Sequence, residues 1–200
     1  MAKTKIPRGK LVRKFGENIF GNPKYDALLN RKPYAPGQHG QGRRPKKSNY
    51  GTQLQEKQKI KFMYGLLEKQ FKNNFVKAEK LDGETGTNML QLLERRLDNI
   101  VFRLSFAPTR ASARQLVSHK HFMVNNKVVN IPSYTLKVGD VITVRDRSKK
   151  INSILESVQN RKGDLGSSWL SLDKAKMQGS LLSIPNRDEM NLTINEQLVV

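Results

Sequence analysis

The chain of 200 residues contains no cysteine, and its acidic side chains are few compared with its basic ones. Without cysteine, the sequence can form neither a disulfide framework nor a thiolate metal site. Its 17 Asp and Glu face 37 Lys and Arg, which gives a formal net charge of +20 at pH 7. Nucleic acid, an anionic membrane surface, an acidic protein or water alone could accept such charge. The distribution of the charge along the chain separates these alternatives.

Long hydrophobic runs are also missing. No apolar stretch approaches the ~20 residues that span a bilayer, and the N-terminus lacks the apolar segment of a signal peptide. Hydrophobic residues make up 36% of the chain, which is low for a fully globular protein. We therefore expect a soluble, cytoplasmic chain without membrane attachment, and part of it should not pack on itself.

The basic excess lies in the first three quarters of the chain, since only five of the 37 Lys and Arg follow residue 154. The first 14 residues include six of them and no acidic residue. Residues 31–51 contain three Pro and four Gly, which disfavour a regular element. The sequence therefore predicts an extended basic arm and loop over residues 1–51, which would become ordered on a partner.

Apolar residues recur at helical spacing after this loop. Intervals of three or four residues predict one helix from Thr52 through Phe75 and a second from about Asn88 to Leu104. Each predicted helix begins with a pair of residues at capping-box spacing. The expected outer side of the second helix carries Arg95, Arg96, Asn99 and Arg103.

A short helix, a hairpin and a small sheet are predicted next. Pro108 ends the second helix and Thr109 can cap a third, while Asn125 and Asn126 suit a tight turn between strands at 122–124 and 127–129. A further strand is expected at Val141–Val144, and the tail should form packing elements with loops. These features predict an α+β fold, with a helical domain at 52–87 completed by 182–200. A two-helix and β-hairpin module with a small sheet should occupy residues 88–181.

Residues 94–127 combine many basic side chains with only two acidic ones, Glu94 and Asp98. An ordinary solvated surface mixes both signs of charge. Arginine suits a nucleic-acid surface because its planar group binds a phosphate through two hydrogen bonds and stacks on bases. We therefore predict that this stretch contacts nucleic acid through Arg95, Arg96, Arg103, Arg110, Arg114, His119, Lys120, His121 and Lys127.

The segment RRLDNIVFRLSFAPTRASARQLVSHKHFMVNNKVVNIPSY resembles the RNA-binding module named after small-subunit ribosomal protein four. That module also occurs in pseudouridine synthases, tyrosyl-tRNA synthetases and heat-shock RNA-binding proteins, so by itself it implies RNA binding only. The preceding YAPGQHGQGRRPKKSNYGTQLQEKQKIKFMYGLLEKQF and the final IPNRDEMNLTINEQLVV are similar to segments of the ribosomal protein four family itself. The resemblance covers nearly the whole chain.

The resemblance implies a structural, primary RNA-binding protein of the small ribosomal subunit. Such a protein binds the small-subunit (16S-type) rRNA at a multi-helix junction, nucleates assembly of the subunit body and contributes to translational accuracy. It further implies small-subunit ribosomal proteins five and three as neighbours, messenger RNA nearby and a monomer within the ribosome. We expect no enzyme activity, no cofactor and no metal, since the four-cysteine zinc knuckle of many relatives is absent.

The RNA-facing positions of the family fall on three parts of this sequence. In the module they are Arg95, Arg96, Asn99, Arg103, Thr109, Arg110, Arg114, Gln115, Lys120 and Lys127. In the N-terminal arm they are Lys3, Lys5, Arg8, Arg13 and Lys14, and in the following loop Arg43, Arg44, Lys46, Lys47, Tyr50 and Gln53. Relatives commonly have Asn-Gly at the hairpin turn where this chain has two Asn, which a left-handed Asn can absorb at some cost.

Other readings of single residues are weaker. Arg-Leu-Asp at 96–98 is similar to the catalytic aspartate motif of pseudouridine synthases, but it lies inside the binding module, so Asp98 should pair with a neighbouring Arg or cap local hydrogen bonds. Trp169, Phe71 and Phe75 should belong to the core rather than stack on bases. A free RNA chaperone or ribosome-rescue protein stays as the alternative function, although such proteins usually lack a long helical domain ahead of the module.

Overall fold

The computed structural model describes residues 6–42, 46–160, 167–190 and 192–199. The chain divides into two compact units, one from the described residues of 1–76 and 193–200 and the other from those of 77–192. The described residues contain eight α-helices and a five-stranded antiparallel sheet, so the predicted α+β class is confirmed. None of these helices combines the length and apolar character that crossing a bilayer requires. The predicted domain boundaries at residues 51, 87 and 181 stay a prediction.

Helices form the unit of residues 1–76 and 193–200. They are α1 Arg8–Phe15, α2 Pro23–Arg31, α3 Asn49–Met63, most of α4 Glu68–Glu79, and a 3-10 helix at Glu196–Leu198. Asn22 caps α2 by accepting a hydrogen bond from the Lys24 N–H at 3.0 Å, and Pro23 supplies a fixed φ at the first helical position. Local capping chemistry therefore sets where this helix begins.

Helix α1 corrects the prediction of an extended arm. Its residues Leu11, Val12 and Phe15 are buried, and the ring centre of Phe15 lies 6.3 Å from that of Phe62. The helix ends at Gly16, whose φ of 76° is left-handed. Apolar residues at helical spacing thus order this segment by burial, although its basic composition favours an extended chain. Residues 32–42 and 46–48 have no regular element, as predicted for the loop.

The helix predicted from Thr52 through Phe75 is in fact two helices, and the first begins earlier. Ser48 caps α3 in place of Thr52, and its hydroxyl accepts a hydrogen bond from the Gly51 N–H at 3.1 Å. Gly65, with a φ of 64°, then ends α3. The predicted core position of Phe71 is confirmed by its 4% exposure, whereas Phe75 is half-buried.

The helices of residues 77–192 are the last turn of α4, α5 Thr85–Glu94, α6 Leu97–Arg103, α7 Arg110–Ser118 and α8 Asn152–Gln159. The single helix predicted from Asn88 to Leu104 is wrong, because it breaks between α5 and α6. The break has a long-range cause: the Leu136 N–H donates to the Arg95 carbonyl at 2.9 Å, and Arg96 bridges to Thr135. Helix α7 is confirmed, with Thr109 as its cap.

One sheet follows α7 in the same unit. Its strands are β1 Phe122–Val124, β2 Lys127–Val128, β3 Val141–Val144, β4 Leu170–Asp173 and β5 Gln178–Leu181, in the order β2-β1-β3-β5-β4. The predicted hairpin and third strand are confirmed, with Val124 paired to Ile142 in the antiparallel register of β1 and β3. The tail contributes α8, β4 and β5, which the sequence described only as packing elements.

The core of this unit lies between α6, α7 and the sheet. Trp169 and Leu104 are fully buried, which confirms the predicted core position of the tryptophan. Leu104 lies directly on β5, since a Cβ added to Gly179 would come within 2.6 Å of both Leu104 methyl carbons. Only glycine permits so close an approach of helix and strand. This packing forms a rigid platform that holds α7 and the hairpin.

Candidate nucleic-acid interface

Helix α7 carries several of the predicted RNA-facing residues. The hydroxyl of Thr109 accepts a hydrogen bond from the Ser112 N–H at 3.2 Å and so fixes where the helix begins. Arg110 is the first helical residue, and its guanidinium carbon lies 4.6 Å from the ring centre of Phe102. Gln115 is exposed. The N-terminal turn of α7 therefore presents a guanidinium stacked on an aromatic ring.

A carboxylate without solvent contact lies behind Arg110. Glu94 is 0% exposed and accepts hydrogen bonds from Arg103 at 2.7 and 3.1 Å and from the Asn99 amide at 2.6 Å. The Asn99 side-chain oxygen in turn accepts from Nε of Arg110 at 2.8 Å. We call Glu94, Asn99, Arg103 and Arg110 the Glu94 cluster. Its hydrogen bonds hold the guanidinium of Arg110 in one direction.

Three residues that were expected on the outer side of a helix point into the fold instead. Arg96 is 4% exposed and binds both carboxylate oxygens of Asp98, at 2.8 and 3.0 Å, which confirms the expected pairing of Asp98. Asn99 is buried and Arg103 is half-buried. The predicted outward orientation of these three is therefore wrong, because Glu94 and Asp98 lie close enough to satisfy them inside the fold. Their contact with RNA stays a prediction.

Arg95 and Arg114 are each half-buried. The Nε of Arg95 donates to the Leu136 carbonyl at 2.9 Å, at the point where the α5–α6 break occurs. Burial lowers the pKa of Arg114 below its ordinary value, and the nearby Asp98 carboxylate opposes that shift. A guanidinium stays charged under such a shift, so Arg114 remains a cation at the edge of the platform.

The hairpin turn is held by side-chain hydrogen bonds. Asn125 and Asn126 have φ values of 48° and 62°, the left-handed values that a two-residue turn requires. The Asn125 amide donates to an oxygen of Asp140 at 2.8 Å, and its own oxygen accepts from the Val141 N–H at 2.9 Å. The turn is thereby tied to the start of β3. Lys127, the next predicted residue, is exposed.

At its C-terminal end, α7 turns sharply into β1. The Lys120 N–H donates to the Val117 carbonyl at 2.9 Å and the His121 N–H to the Leu116 carbonyl at 3.2 Å, while Lys120 is exposed and left-handed, with a φ of 64°. This turn brings the ring centres of His119 and His121 within 6.1 Å.

Arg8, Arg13 and Lys14 project from a folded helix rather than an extended arm. The guanidinium carbon of Arg8 lies 5.4 Å from the ring centre of Phe20, and that of Arg13 lies 4.8 Å from the ring of Tyr34. Arg13 also donates from Nε to the Tyr34 carbonyl at 3.1 Å. Lys14 is exposed. Helix α1 thus orients two of its cations by stacking them on aromatic rings.

The loop residues before α3 and those in its first turns are exposed. They are Lys46, Lys47, Tyr50 and Gln53, and Tyr50 is 72% exposed. The Nζ of Lys47 donates to the side-chain oxygen of Gln55. The remaining predicted residues, Lys3, Lys5, Arg43 and Arg44, lie outside the described part of the chain.

The structure brings the predicted module residues into one unit, but it separates them into an exposed set and an inward-facing set. The sequence analysis did not predict that Glu94 would bind Asn99 and Arg103. The signal was present, since Glu94 precedes Asn99 by five residues and Arg103 by nine. Arg145, which donates to the Lys120 carbonyl at 3.0 Å, was missed as well. Among the described residues, His, Asp and Glu form no group of three or more that could hold a metal ion.

Comparisons with known proteins all match this chain to the same family. The family model described as Ribosomal protein S4/S9 N-terminal domain matches residues 3–94, and the S4 domain model matches residues 95–142. Relatives from Salinibacter ruber, Parabacteroides distasonis and Bacteroides fragilis are 50%, 51% and 52% identical to it. Each alignment covers 100% of this chain and 98% of the relative, and each relative is named small ribosomal subunit protein uS4. The chain belongs to the uS4 family.

As a member of the uS4 family, the chain is an RNA-binding structural protein of the small ribosomal subunit. The predicted family, class of function and location in that subunit are thereby confirmed. The S4 domain match includes α6, α7 and the hairpin, which are the elements that the sequence assigned to the RNA-binding module. A uS4 match along the whole chain does not favour a free RNA chaperone or rescue protein.

Proposed function

We propose that this uS4 family member binds 16S-type rRNA as a primary binder at a multi-helix junction, nucleates assembly of the subunit body and contributes to translational accuracy. The observation that carries the proposal is the hydrogen-bond chain from Glu94 through Asn99 to Arg110. A guanidinium already held in one direction loses little conformational entropy when it binds a phosphate. The first turn of α7 is therefore prepared for an RNA backbone.

The shape of the RNA should matter more than its base sequence. Gln115, Lys120 and Lys127 are exposed on a platform whose helices and strands are fixed by a packed core. Cations on rigid elements recognise the spacing of phosphates, which a junction presents differently from a regular duplex. We therefore propose that the junction geometry selects the binding site.

The unit of residues 1–76 and 193–200 is proposed to add contacts to the phosphate backbone. Lys and Arg side chains release condensed counterions when they meet phosphates, which makes binding strongly dependent on salt. The residues proposed for this role are Lys3, Lys5, Arg8, Arg13, Lys14, Arg43, Arg44, Lys46 and Lys47, with Tyr50 and Gln53 as contacts to the junction.

We further propose that the chain is not an enzyme and that it acts as a monomer within the ribosome. Asp98, the residue that suggests pseudouridine synthase chemistry, is 5% exposed and bound through both oxygens to Arg96, so a substrate cannot reach it without breaking that pair. Ribosomal proteins five and three are the proposed neighbours, with messenger RNA nearby. These neighbours are what the resemblance of the sequence to the ribosomal protein four family implies.

The test compares an rRNA transcript that contains the junction with a simple RNA duplex of equal length. We expect the chain to bind the junction at least about tenfold more tightly, and Arg110→Ala to weaken that binding about tenfold. Lys127→Ala should make the negative slope of log affinity against log salt less steep by about 1. Lys80→Ala, which removes an exposed charge from the same unit, serves as the control.

Melting midpoints must accompany these affinities, because Arg110 also bonds Asn99. Lys127 is exposed, so its variant reports on RNA contact with little risk to the fold. Equal affinity for junction and duplex would contradict recognition by shape. If Arg110→Ala and Lys127→Ala bind the junction as tightly as the Lys80→Ala control does, the proposed role of the α7 and hairpin residues is overturned.

A further inference from the structure

A short basic segment is fixed against the end of α7. Residues 145–150, RDRSKK, contain four basic residues and one acid. Ser148 is 1% exposed, its hydroxyl lies 2.9 Å from Nδ1 of His121, and its N–H donates to the Arg145 carbonyl at 2.8 Å. The Arg145 N–H donates to the His121 carbonyl at 3.0 Å. These bonds hold the segment beside the turn that joins α7 to β1.

The basic side chains of that turn and of the segment form one group. The Arg145 guanidinium donates to the Lys120 carbonyl at 3.0 Å, and Lys120 has the left-handed backbone that glycine would adopt without cost. We call the group of His119, Lys120, His121, Arg145, Arg147, Lys149 and Lys150 the α7-end patch. Lys120 therefore holds a backbone conformation that is strained for a lysine.

The α7-end patch gathers charge of one sign. Burial lowers the pKa of His121 below its ordinary value, and the positive charges of His119, Arg147 and Arg145 lower it further. The acid within the segment is Asp146, whose carboxylate lies 2.8 Å from Nζ of Lys149 and so compensates that lysine. Ordinary surfaces intersperse both signs, whereas the other Lys and Arg side chains of the patch form no ion pair with an acid within the described part of the chain.

Stabilisation of the helix end explains only part of the patch. Cations near a helix C-terminus interact favourably with its last carbonyls, which accounts for Arg145 and for the charge on Lys120. Arg147 and Lys150 are exposed, and within the described residues neither side chain makes a hydrogen bond or an ion pair. Two exposed cations among like charges thus remain available to a polyanion.

We propose that the α7-end patch binds phosphate groups of RNA through Arg147 and Lys150, as a contact additional to the predicted α7 and hairpin residues. Arg145 and Ser148 act as positioning residues, because their hydrogen bonds fix the segment that carries the two cations. The inference rests on the proposed function, since it assigns a second contact surface to the same RNA.

The test removes two charges from the patch and two from elsewhere in the same unit. The full-length chain carries either Arg147→Ala with Lys150→Ala, or Lys77→Ala with Lys80→Ala, whose lysines are also exposed. Affinity for a small-subunit rRNA transcript is measured between about 50 and 200 mM salt. If each cation meets a phosphate, the negative log–log salt slope of the patch variant becomes less steep by about 1.4 to 1.8, and that of the control pair changes by much less.

The outcomes separate this inference from the proposed function. A wild-type chain that does not prefer the rRNA transcript over an unrelated tRNA overturns both. A preference retained by wild type and control, with the patch variant matching the control in slope, overturns the patch alone. Anionic phospholipid vesicles form a second arm. Vesicle binding that depends on Arg147 and Lys150, with no change in the RNA slope, would show that the patch meets a membrane instead.

Discussion

In the unit of residues 77–192, the buried carboxylate of Glu94 is surrounded by Arg103 and Asn99, and solvent does not reach it. The unit of residues 1–76 and 193–200 buries the opposite charge. Its Lys59, 3% exposed, donates to the Thr193 carbonyl at 2.5 Å and lies 2.6 Å from the Glu17 carboxylate, whose side chain is 49% exposed. The first unit buries the anion Glu94 among its hydrogen-bond partners. The second buries the cation Lys59, but its ionic partner Glu17 is exposed to water.

This difference determines how much stability each unit should lose when one partner of its ion pair is removed. Removing an enclosed partner strands a cation in a low-dielectric interior, which typically costs about 3 to 5 kcal/mol. An exposed carboxylate that loses its lysine is rehydrated, so little of that cost arises. The Glu94 cluster should therefore contribute to stability and to the direction of Arg110 together, whereas Lys59 should contribute mainly by joining the chain near Glu17 to residues near Thr193.

The largest effect is expected for Glu94→Gln, which keeps the shape of the side chain but removes its charge. Arg103, whose side chain is 17% exposed, would lose its ionic partner, and the free energy of unfolding should fall by about 3 kcal/mol. Urea unfolding measures this change, with Glu79→Gln, at an exposed residue of the same unit, as control. A loss below about 1 kcal/mol would mean that solvent enters the cluster and that the contrast between the units is false.

A smaller effect is expected for Lys59→Met, which fills similar volume without charge. The variant loses two hydrogen-bonding contacts, but Glu17 and Thr193 are exposed and can bind water instead. The unfolding free energy should fall by about 1 to 2 kcal/mol. The same urea experiment decides the matter, and a loss as large as that of Glu94→Gln would show that the lysine is as enclosed as the glutamate.

Local signals explain which parts of the fold the sequence predicts. Helix α7 was predictable because Pro108 and Thr109 mark its start within a few residues, and the hairpin because Asn125 and Asn126 tolerate left-handed backbone. The break between α5 and α6 was not, since it depends on backbone bonds from residues about forty positions later, near Leu136. Helix α1 was missed because three buried apolar residues lie among many cations.

The candidate site was predictable to the same extent. Lys120, Lys127 and Gln115 are exposed as an RNA-facing surface requires. Arg96 and Asn99 are not, because a charged or amide side chain is expected at the surface unless its partner is known, and the partners Glu94 and Asp98 meet them only through the folded α5–α6 corner. Sequence pattern therefore identifies which residues carry charge, while packing decides which of them solvent can reach.

The smallest effect is expected for Glu68→Gln, an exposed counterpart of Glu94. Glu68 accepts hydrogen bonds from Lys57 and from Lys61, the latter at 2.7 Å, and its side chain is 55% exposed. These bonds, Lys57 first, lower its pKa below the ordinary value of 4.5. Because water screens the pairs, the variant should lose less than about 1 kcal/mol at neutral pH.

The pH dependence distinguishes this ion pair from a packing effect. The folded chain holds the Glu68 proton less tightly than the unfolded chain, so the stabilisation is fully present above pH 4.5 and is lost as pH falls through the lowered pKa. The difference between wild type and Glu68→Gln should therefore shrink below that pH, and also in about 1 M salt, where screening acts over about 3 Å. A difference that persists in acid and in salt would show that the packing of Glu68, rather than its exposed charge, is responsible for the effect.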